Sequence, residues 1–402
     1  MIARIYIWLL LAILLPDMYI YWRFFLRKEG FKWSQLLWWL PSAAMVAYTI
    51  VLARERDFAP ADITTLYLYL FLVGLIVVAK LLFVVCSLVG LGIRKLSGAK
   101  ANYGNIVGLL LAAATWVVVI YGSTKGFDQV TVRRITYESS ELPESFDGYR
   151  IVQFSDAHVG TYGEGRQRMV EVFVDSILAQ RGDLIVFTGD LQDIVPEEIN
   201  PHKQQLCKLQ ARDGVIAIMG NHDYPTYVNV DAATKRRYLS ETQQAMRSMG
   251  WDLLLNSHRA VERDGDSIII GGMENDGDGR HFPQLGDVGA TLRGSLPANM
   301  KSGEDSVGMA RDFVVMLQHD PTGWRRKILP QSNAQLTLSG HTHGGQVKIF
   351  GWSPASLAYS EWGGMYYEGG RAINVSTGVG GVIPFRIGVP GEICVITLKK
   401  KR

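Results

Sequence analysis

The sequence predicts two unlike parts in one chain, an N-terminal four-helix transmembrane region over residues 1–122 and an α/β domain over residues 149–402, joined by a connector with a first strand over 123–148. Three observations carry this reading. The chain has 402 residues, more than one domain usually needs. Its apolar content of 48% and aromatic content of 10% are concentrated before residue 123, where long apolar runs replace the alternation of a globular chain. From Gln129 onward, short β-rich runs alternate with polar stretches of helical spacing.

The membrane part comes first. Four stretches, about 2–22, 33–53, 63–90 and 103–122, are each near or above the roughly 20 residues needed to cross a bilayer. A cleaved signal peptide is the alternative for the first. Its apolar run is too long for one, no small-residue cleavage site follows, and a second span comes at once. Orientation follows from the short loops: Arg23, Arg27, Lys28 and Lys32 in the first and Arg94, Lys95 and Lys100 in the third outweigh Arg54 and Arg56, which sit beside three acids in the second. Loops one and three are therefore expected in the cytoplasm and the C-terminal domain outside it, although Lys125, Arg133 and Arg134 blunt the asymmetry. Two ionisable residues fall inside spans, Asp17 and Lys80. Spans one and three run parallel, so the two can form an ion pair; the alternative is Asp17 at the interface with Lys80 snorkelling.

In the C-terminal part, apolar runs at Tyr149–Phe154, Leu184–Phe187, Val215–Met219, Ile268–Ile270, Phe313–Leu317 and Leu336–Leu338 read as strands, with Val130–Tyr137 as an edge strand. The segments Arg166–Gln180 and Glu197–Ala211 have helical spacing. All the strand runs but the one at Ile268 lead within a few residues into Asp, Asn or His. In α/β folds, loops leaving the carboxyl ends of strands line the ligand crevice, so such residues can meet at one sheet edge.

Those loops hold five of the eight histidines. SDAH gives Asp156 and His158, spaced to aim at one cation; TGDLQD gives Asp190, placed for its two oxygens to reach two ions. MGNHD gives Asn221, a neutral oxygen ligand, with His222 and Asp223 behind it; LQHDP gives His319; LSGHTHGG gives His341 and His343. Any one of these could be a helix cap or a hydrogen-bonded structural residue. Five in succession, mixing carboxylate, amide and imidazole without thiolate, suit divalent manganese, iron or zinc. The three cysteines, Cys86, Cys207 and Cys394, are far apart and suggest neither disulfides nor a metal cluster. A net charge of +3 and the lack of a basic, aromatic-interleaved stripe argue against nucleic acid as a partner.

Through DxH, GDxxD, GNHD, the lone His and GHxH, residues 149–397 resemble the calcineurin-like metallophosphoesterases, and GHTHGGQ, IVQFSDAH and the segment from VSTGVGG to PGEI resemble their bacterial membrane-associated branch. The resemblance implies a four-layer αββα sandwich. It implies two metal ions, one on Asp156, His158, Asp190 and His343 and one on Asp190, Asn221, His319 and His341. A charge count fits phosphate esters: two divalent ions against Asp156, Asp190 and a bridging hydroxide leave a field of about +1. Such a hydroxide would attack a phosphomonoester or phosphodiester. His222, oriented by Asp223, is the candidate for stabilising the transition state or protonating the leaving oxygen, and Asp193 for holding the ligand loops.

The expectation is thus a multi-pass phosphatase or phosphodiesterase of the bacterial inner (plasma) membrane, with its catalytic domain extracytoplasmic and a phosphate ester as substrate. Four spans make a lipid-linked substrate plausible. The alternatives are pyrophosphate cleavage in a UDP-diacylglucosamine-type glycolipid precursor, which needs a cytoplasmic site, and a non-enzymatic metal-stabilised sensory or binding module. Oligomeric state stays open. The aromatic segment with Trp352, Tyr359, Trp362, Tyr366 and Tyr367 can line the pocket, meet the lipid interface, or pack as an ordinary loop.

Overall fold

A computed structural model describes residues 5–26, 33–54, 63–163, 165–279, 282–295 and 312–402. The chain divides into two compact units, Met1–Lys125 and Gly126–Arg402. Among the residues that set the predicted membrane orientation, Arg27, Lys28, Lys32 and Arg56 lie outside the described residues, as does the start of the first stretch.

Among the described residues of the first unit, four helices are long and apolar enough to cross a membrane: Tyr6–Phe25, Gln35–Arg54, Ile63–Ser97 and Gly104–Gly126. The third outruns its expected end at residue 90. Past Gly90 the chain stays helical through Arg94 and Lys95 and stops only at Gly98, whose left-handed φ of 69° lets its N–H bond back to the Arg94 carbonyl. Ile13, Met45, Tyr69 and Val77 pack in the interior. The third and fourth helices approach closely because both are glycine at the contact: a Cβ on Gly104 would lie 2.1 Å from the Cys86 carbonyl oxygen. Polar side chains bridge the interior as well, with Tyr19 Oη 2.7 Å from Ser87 Oγ and Ser87 donating to Asn105 at 2.7 Å. Asp17 is fully buried and pairs with Lys80 at 2.7 Å, and Lys80 also donates to Ser42 at 2.9 Å. The ion pair, not the snorkelling alternative, is what the fold contains.

Among the described residues the second unit holds twelve strands: β1 (Val130–Ser139), β2 (Arg150–Phe154), β3 (Leu184–Phe187), β4 (Val215–Ala217), β5 (Asp252–Leu253), β6 (Ser257–Arg263), β7 (Asp266–Gly272), β8 (Phe313–Leu317), β9 (Leu336–Ser339), β10 (Gly364–Glu368), β11 (Arg371–Val375) and β12 (Gly391–Lys400). They form two six-stranded mixed sheets, ordered β1-β12-β2-β3-β4-β5 and β10-β11-β9-β8-β7-β6. Ile151, Val186 and Ile216 from one sheet and Ile270, Val315 and Leu338 from the other fill the space between them. The outer face of the first sheet is covered by Phe173, Ile177 and Met246 of the helices Arg168–Leu178 and Ala232–Ser248; the outer face of the second is covered by Trp324 and Ile328. This is the four-layer αββα sandwich. Strands buried on both faces read as the unbroken apolar runs seen in the sequence.

Two local expectations change. The stretch 197–211 is a 3-10 helix, Pro196–His202, followed by the short helix Lys203–Leu206, because Pro201 lacks the N–H a continuous α-helix needs. The strand around Ile268 is longer than expected and does lead to chemistry-bearing residues, the buried Asn275 and Asp276, with Asp276 paired to Lys327 at 2.7 Å and Arg326 at 3.3 Å.

Candidate functional site

β2, β3 and β4 run parallel in one sheet and β8 and β9 run parallel in the other, so their carboxyl ends deliver loops to common edges. The loops lock to one another through the backbone. Asp156 N–H donates to Gly189 O at 2.8 Å, His158 N–H to Asp190 O at 3.2 Å, and Gly340 N–H to His319 O at 3.0 Å. The result is two groups of side chains that could hold metal ions, Asp156, His158, Asp190 and His343, and Asp190, His319 and His341, with ligand atoms in each group within 4.8 Å of one another. Asn221 joins the second group, its Oδ1 lying 3.1 Å from His319 Nε2 and 2.8 Å from His341 Nδ1. All seven residues that the sequence singled out as ligands are thus brought together. Five of them, Asp156, His158, Asp190, His341 and His343, hold φ between 41° and 76°. Non-glycine residues seldom occupy that region, and clustered occupancy marks a site where geometry outranks backbone comfort.

Asp190 refines the expectation of one oxygen per ion. Its Oδ1 accepts the His222 backbone N–H at 2.8 Å, whereas Oδ2 lies 3.1 Å from His319 Nε2 and 3.6 Å from His158 Nε2. A single oxygen therefore faces both groups.

The electrostatics show what the pocket lacks. Asp156, Asp190 and Asp193 are buried, and among the described residues none forms an ion pair with Lys or Arg. Burial alone would push the imidazoles toward neutrality, yet Asp193, Asp190 and Asp156 raise His158 to about 9, and Asp190 and Asp156 raise His319 to about 10. Burial would raise Asp190 too, but the surrounding imidazoles His319, His222 and His158 hold it well below the usual carboxylate range. His341 and His343 are lowered, chiefly by burial. His158 Nε2 and His343 Nδ1 are buried without a hydrogen-bond partner. Buried carboxylates that borrow charge from imidazoles, beside orphaned ring nitrogens, fit divalent cations in this donor set.

Around this centre the structure redistributes two roles. Asp223 does not orient His222. Its carboxylate turns inward and accepts backbone N–H bonds from Asp190, Leu191 and Gly220, each at 2.8 Å, and burial with the nearby Asp190 charge raises it to about 7. The His222 ring is held instead through Nδ1 by the Asp193 carbonyl at 2.6 Å and stacks on Tyr227, with ring centres 4.5 Å apart. The Asp193 carboxylate lies 3.1 Å from His158 Nδ1, the arrangement by which acids fix the tautomer of a metal-binding imidazole.

Three contributors escaped the sequence reading, and a fourth, Tyr359, stood in it only as part of the aromatic segment that could line the pocket. Tyr359 Oη lies 2.9 Å from His341 Nε2, and Asp320 Oδ2 lies 3.4 Å from the same nitrogen. Glu198 accepts the Asp193 N–H at 2.6 Å and is pushed up to about 8 by burial and the Asp193 charge. Arg386, fully buried, donates to the carbonyls of Thr377, Gly378 and Gly380 in the loop whose Gly380 N–H bonds Asp156 O at 2.9 Å. Asp320 had a signal, since it directly follows His319; an arginine that serves only backbone carbonyls leaves no pattern.

Comparison with known proteins gives a consistent family. Residues 3–127 match the family described as probable calcineurin-like phosphoesterase, transmembrane domain, and residues 149–345 match calcineurin-like phosphoesterase. An uncharacterized metallophosphoesterase of Bacillus subtilis, YkuE, is 31% identical over 274 residues, covering 66% of this chain and 84% of that protein. A zebrafish (Danio rerio) transmembrane protein with metallophosphoesterase domain is 28% identical over 304 residues, 73% of this chain, which spans 62% of that protein's length. The UDP-2,3-diacylglucosamine pyrophosphatase LpxG of Chlamydia muridarum is 26% identical over 310 residues, covering 65% of this chain and 88% of that protein.

Proposed function

The chain belongs to the calcineurin-like metallophosphoesterases, and from that premise we propose that it hydrolyses phosphomonoester or phosphodiester bonds at a site for two divalent cations. It is an integral membrane protein and a metal-dependent phosphoric ester hydrolase. The observation that carries the two-cation reading is Asp190 Oδ2, one oxygen within 3.6 Å of imidazole nitrogens from both ligand groups. Asp156, His158, Asp190 and His343 would hold one cation and Asp190, Asn221, His319 and His341 the other; manganese, iron and zinc suit these donors. Bound there, such ions polarise phosphoryl oxygens and make water nucleophilic at neutral pH.

The chain's own groups do the rest. The Asp193 carbonyl can only accept, so His222 carries its proton on Nδ1 and leaves Nε2 to exchange a proton with the substrate. Burial holds His222 below its ordinary pKa and thus neutral at rest. An arriving phosphoryl anion would raise that pKa, so the ring becomes an acid for the leaving oxygen when substrate is bound. Asp193 positions His158, and Asp223 positions the loops of Asp190 and Asn221 by holding their N–H groups.

A second reading is cleavage of the pyrophosphate of a UDP-diacylglucosamine-type precursor, favoured by similarity to the chlamydial enzyme. It requires a cytoplasmic site, whereas the Lys and Arg pattern of the loops supports an extracytoplasmic domain on a bacterial inner membrane. A reporter fused at the C-terminus separates the two. The activity test is full-length, detergent-purified protein assayed on aryl phosphates, bis-aryl phosphates, lipid phosphates and nucleotide-linked glycolipids, with metal content measured in parallel. The expected result is two ions per chain and turnover that chelation removes and manganese or zinc restores. Metal-loaded protein that cleaves none of these would overturn the reading.

A further inference from the structure

Six residues beyond His343 the chain begins a hairpin that a water-facing surface does not explain. Ile349 and Trp352 pair antiparallel, with N–H to O distances of 2.9 and 3.0 Å, around the two-residue turn Phe350–Gly351. Both turn residues hold positive φ, 50° and 84°. Glycine or asparagine is the usual first residue of such a turn, and a bulky aromatic there is an outlier. Phe350 is also completely exposed, at 105%, and Leu357 at 80%, Trp352 at 53% and Ile349 at 50% are exposed in the same stretch of chain.

The surroundings are as unusual as the tip. From Ile349 to Ser360 no residue carries a formal charge, and none does from Ser376 to Phe385. These two segments are fastened together, since Gln346 Nε2 donates to the carbonyls of Ile383 and Phe385 at 2.9 and 2.7 Å and Lys348 N–H donates to Ile387 O at 2.7 Å. Val382, in the second segment, is exposed too. Lys348 at the base of the hairpin, over the Trp362 ring at 5.5 Å, is the first charge met on leaving the tip.

We propose that this hairpin, with the neighbouring segment 376–385, inserts into the headgroup and upper acyl region of a lipid bilayer, and so presents the site to phosphate esters carried on amphipathic molecules. The clause on substrate rests on the phosphoesterase reading above; the insertion does not. Lipid is favoured over a partner protein because the tip is a two-residue turn whose Phe350 side chain is completely exposed, within a stretch that carries no formal charge. Trp beside aliphatic and Phe side chains, uncharged over the twelve residues between Lys348 and Glu361, is the composition that membrane interfaces select. The chain's own four spans also keep a bilayer at hand. The same segment reaches the site, since Tyr359 Oη lies 2.9 Å from His341 Nε2, so where the hairpin is seated bears on what approaches that imidazole.

The test uses the full chain in nanodiscs of phosphatidylcholine and phosphatidylglycerol, in a background with Cys86→Ser and Cys207→Ser, and a nitroxide attached at Phe350→Cys. Leu357→Cys provides a second site should the first fail to fold, and Arg236→Cys on an exposed helix is the aqueous control. The nitroxide should collide more with oxygen than with a water-soluble nickel complex. Collision with nickel equal to the control overturns the insertion, and shielding from both, which means cover by protein, overturns it as well. In parallel, Phe350→Ser with Trp352→Ser should raise the KM for phosphatidic acid held in the bilayer about tenfold while leaving hydrolysis of a soluble aryl phosphate unchanged. Equal loss on both substrates would show the hairpin to be packing of the site, and wild type that cleaves aryl phosphate but no phosphatidic acid would overturn the substrate clause. A nitroxide in lipid on a protein that hydrolyses nothing would sink the phosphoesterase reading and leave the insertion standing.

Discussion

In the membrane unit, Asp17 and Lys80 meet at 2.7 Å, one acid against one base, with Ser42 and the face of Trp38 occupying the rest of the ammonium group. In the catalytic unit, Asp156, Asp190, Asp193 and Asp320 are buried beside imidazoles, and among the described residues none of them has a lysine or arginine partner. Both arrangements bring charge out of water, which is costly unless it is compensated. The first sets one charge directly against its opposite. The second leaves several carboxylates to share the partial charge of ring nitrogens, some of them orphaned, and is completed only by cations. A closed pair holds helices together; an open cluster is where a ligand belongs.

The comparison breaks most visibly if Asp190 is neutralised. Asp190→Asn takes the shared carboxylate from both ligand groups, so activity should fall beyond the roughly 100-fold that loss of an outer partner causes, and elemental analysis should find fewer than two ions per chain. Equal turnover with full metal content would mean that the open cluster is not the reaction centre. Next in size is the closed pair. Asp17→Ala or Lys80→Ala strands one buried charge and should cost about 3 kcal/mol in detergent unfolding, while the exchange Asp17→Lys with Lys80→Asp should restore most of it. Failure of the exchange would show that the surroundings, not the pair, are what the fold requires.

The smallest effect sharpens the picture. Below about 9 the metal-free His158 holds a proton, against the pull of burial, because Asp193, Asp190 and Asp156 favour its charged form. A cation must displace that proton, so metal affinity should rise with pH up to about 9 and then level off at this residue. Asp193→Asn removes the leading carboxylate from the ring. Titration calorimetry in two buffers at pH 7 should then show up to one proton fewer released, with affinity lower by roughly 10- to 100-fold. Unchanged proton release would mean that Asp193 does not set the state of His158.

Much of this was legible before any fold was known. Strand-end Asp, Asn and His stand out because each sits just past an apolar run, and the four spans stand out by length alone. The helix Ala232–Ser248 did not stand out, since it is polar over most of its length; its signal was the cap at Asp231, which accepts the N–H groups of Ala233 and Thr234. The strands β10 and β11 lie among glycines and aromatics whose periodicity is weak, and β11 and β12 also pair with strands distant in sequence.

The sequence by itself determined which residue types could gather at the strand ends, that their donors suit divalent cations, and that four segments are apolar enough to span a membrane. These follow from composition and local spacing. Only the tertiary structure decided that Asp223 serves backbone N–H groups while the Asp193 carbonyl holds His222, that one oxygen of Asp190 faces both ligand groups, and that Phe350 is completely exposed. Each of these depends on where loops from separate strands come to rest against one another. A hydrogen bond is chosen by distance and direction in space, and neighbours in space are not neighbours in the chain.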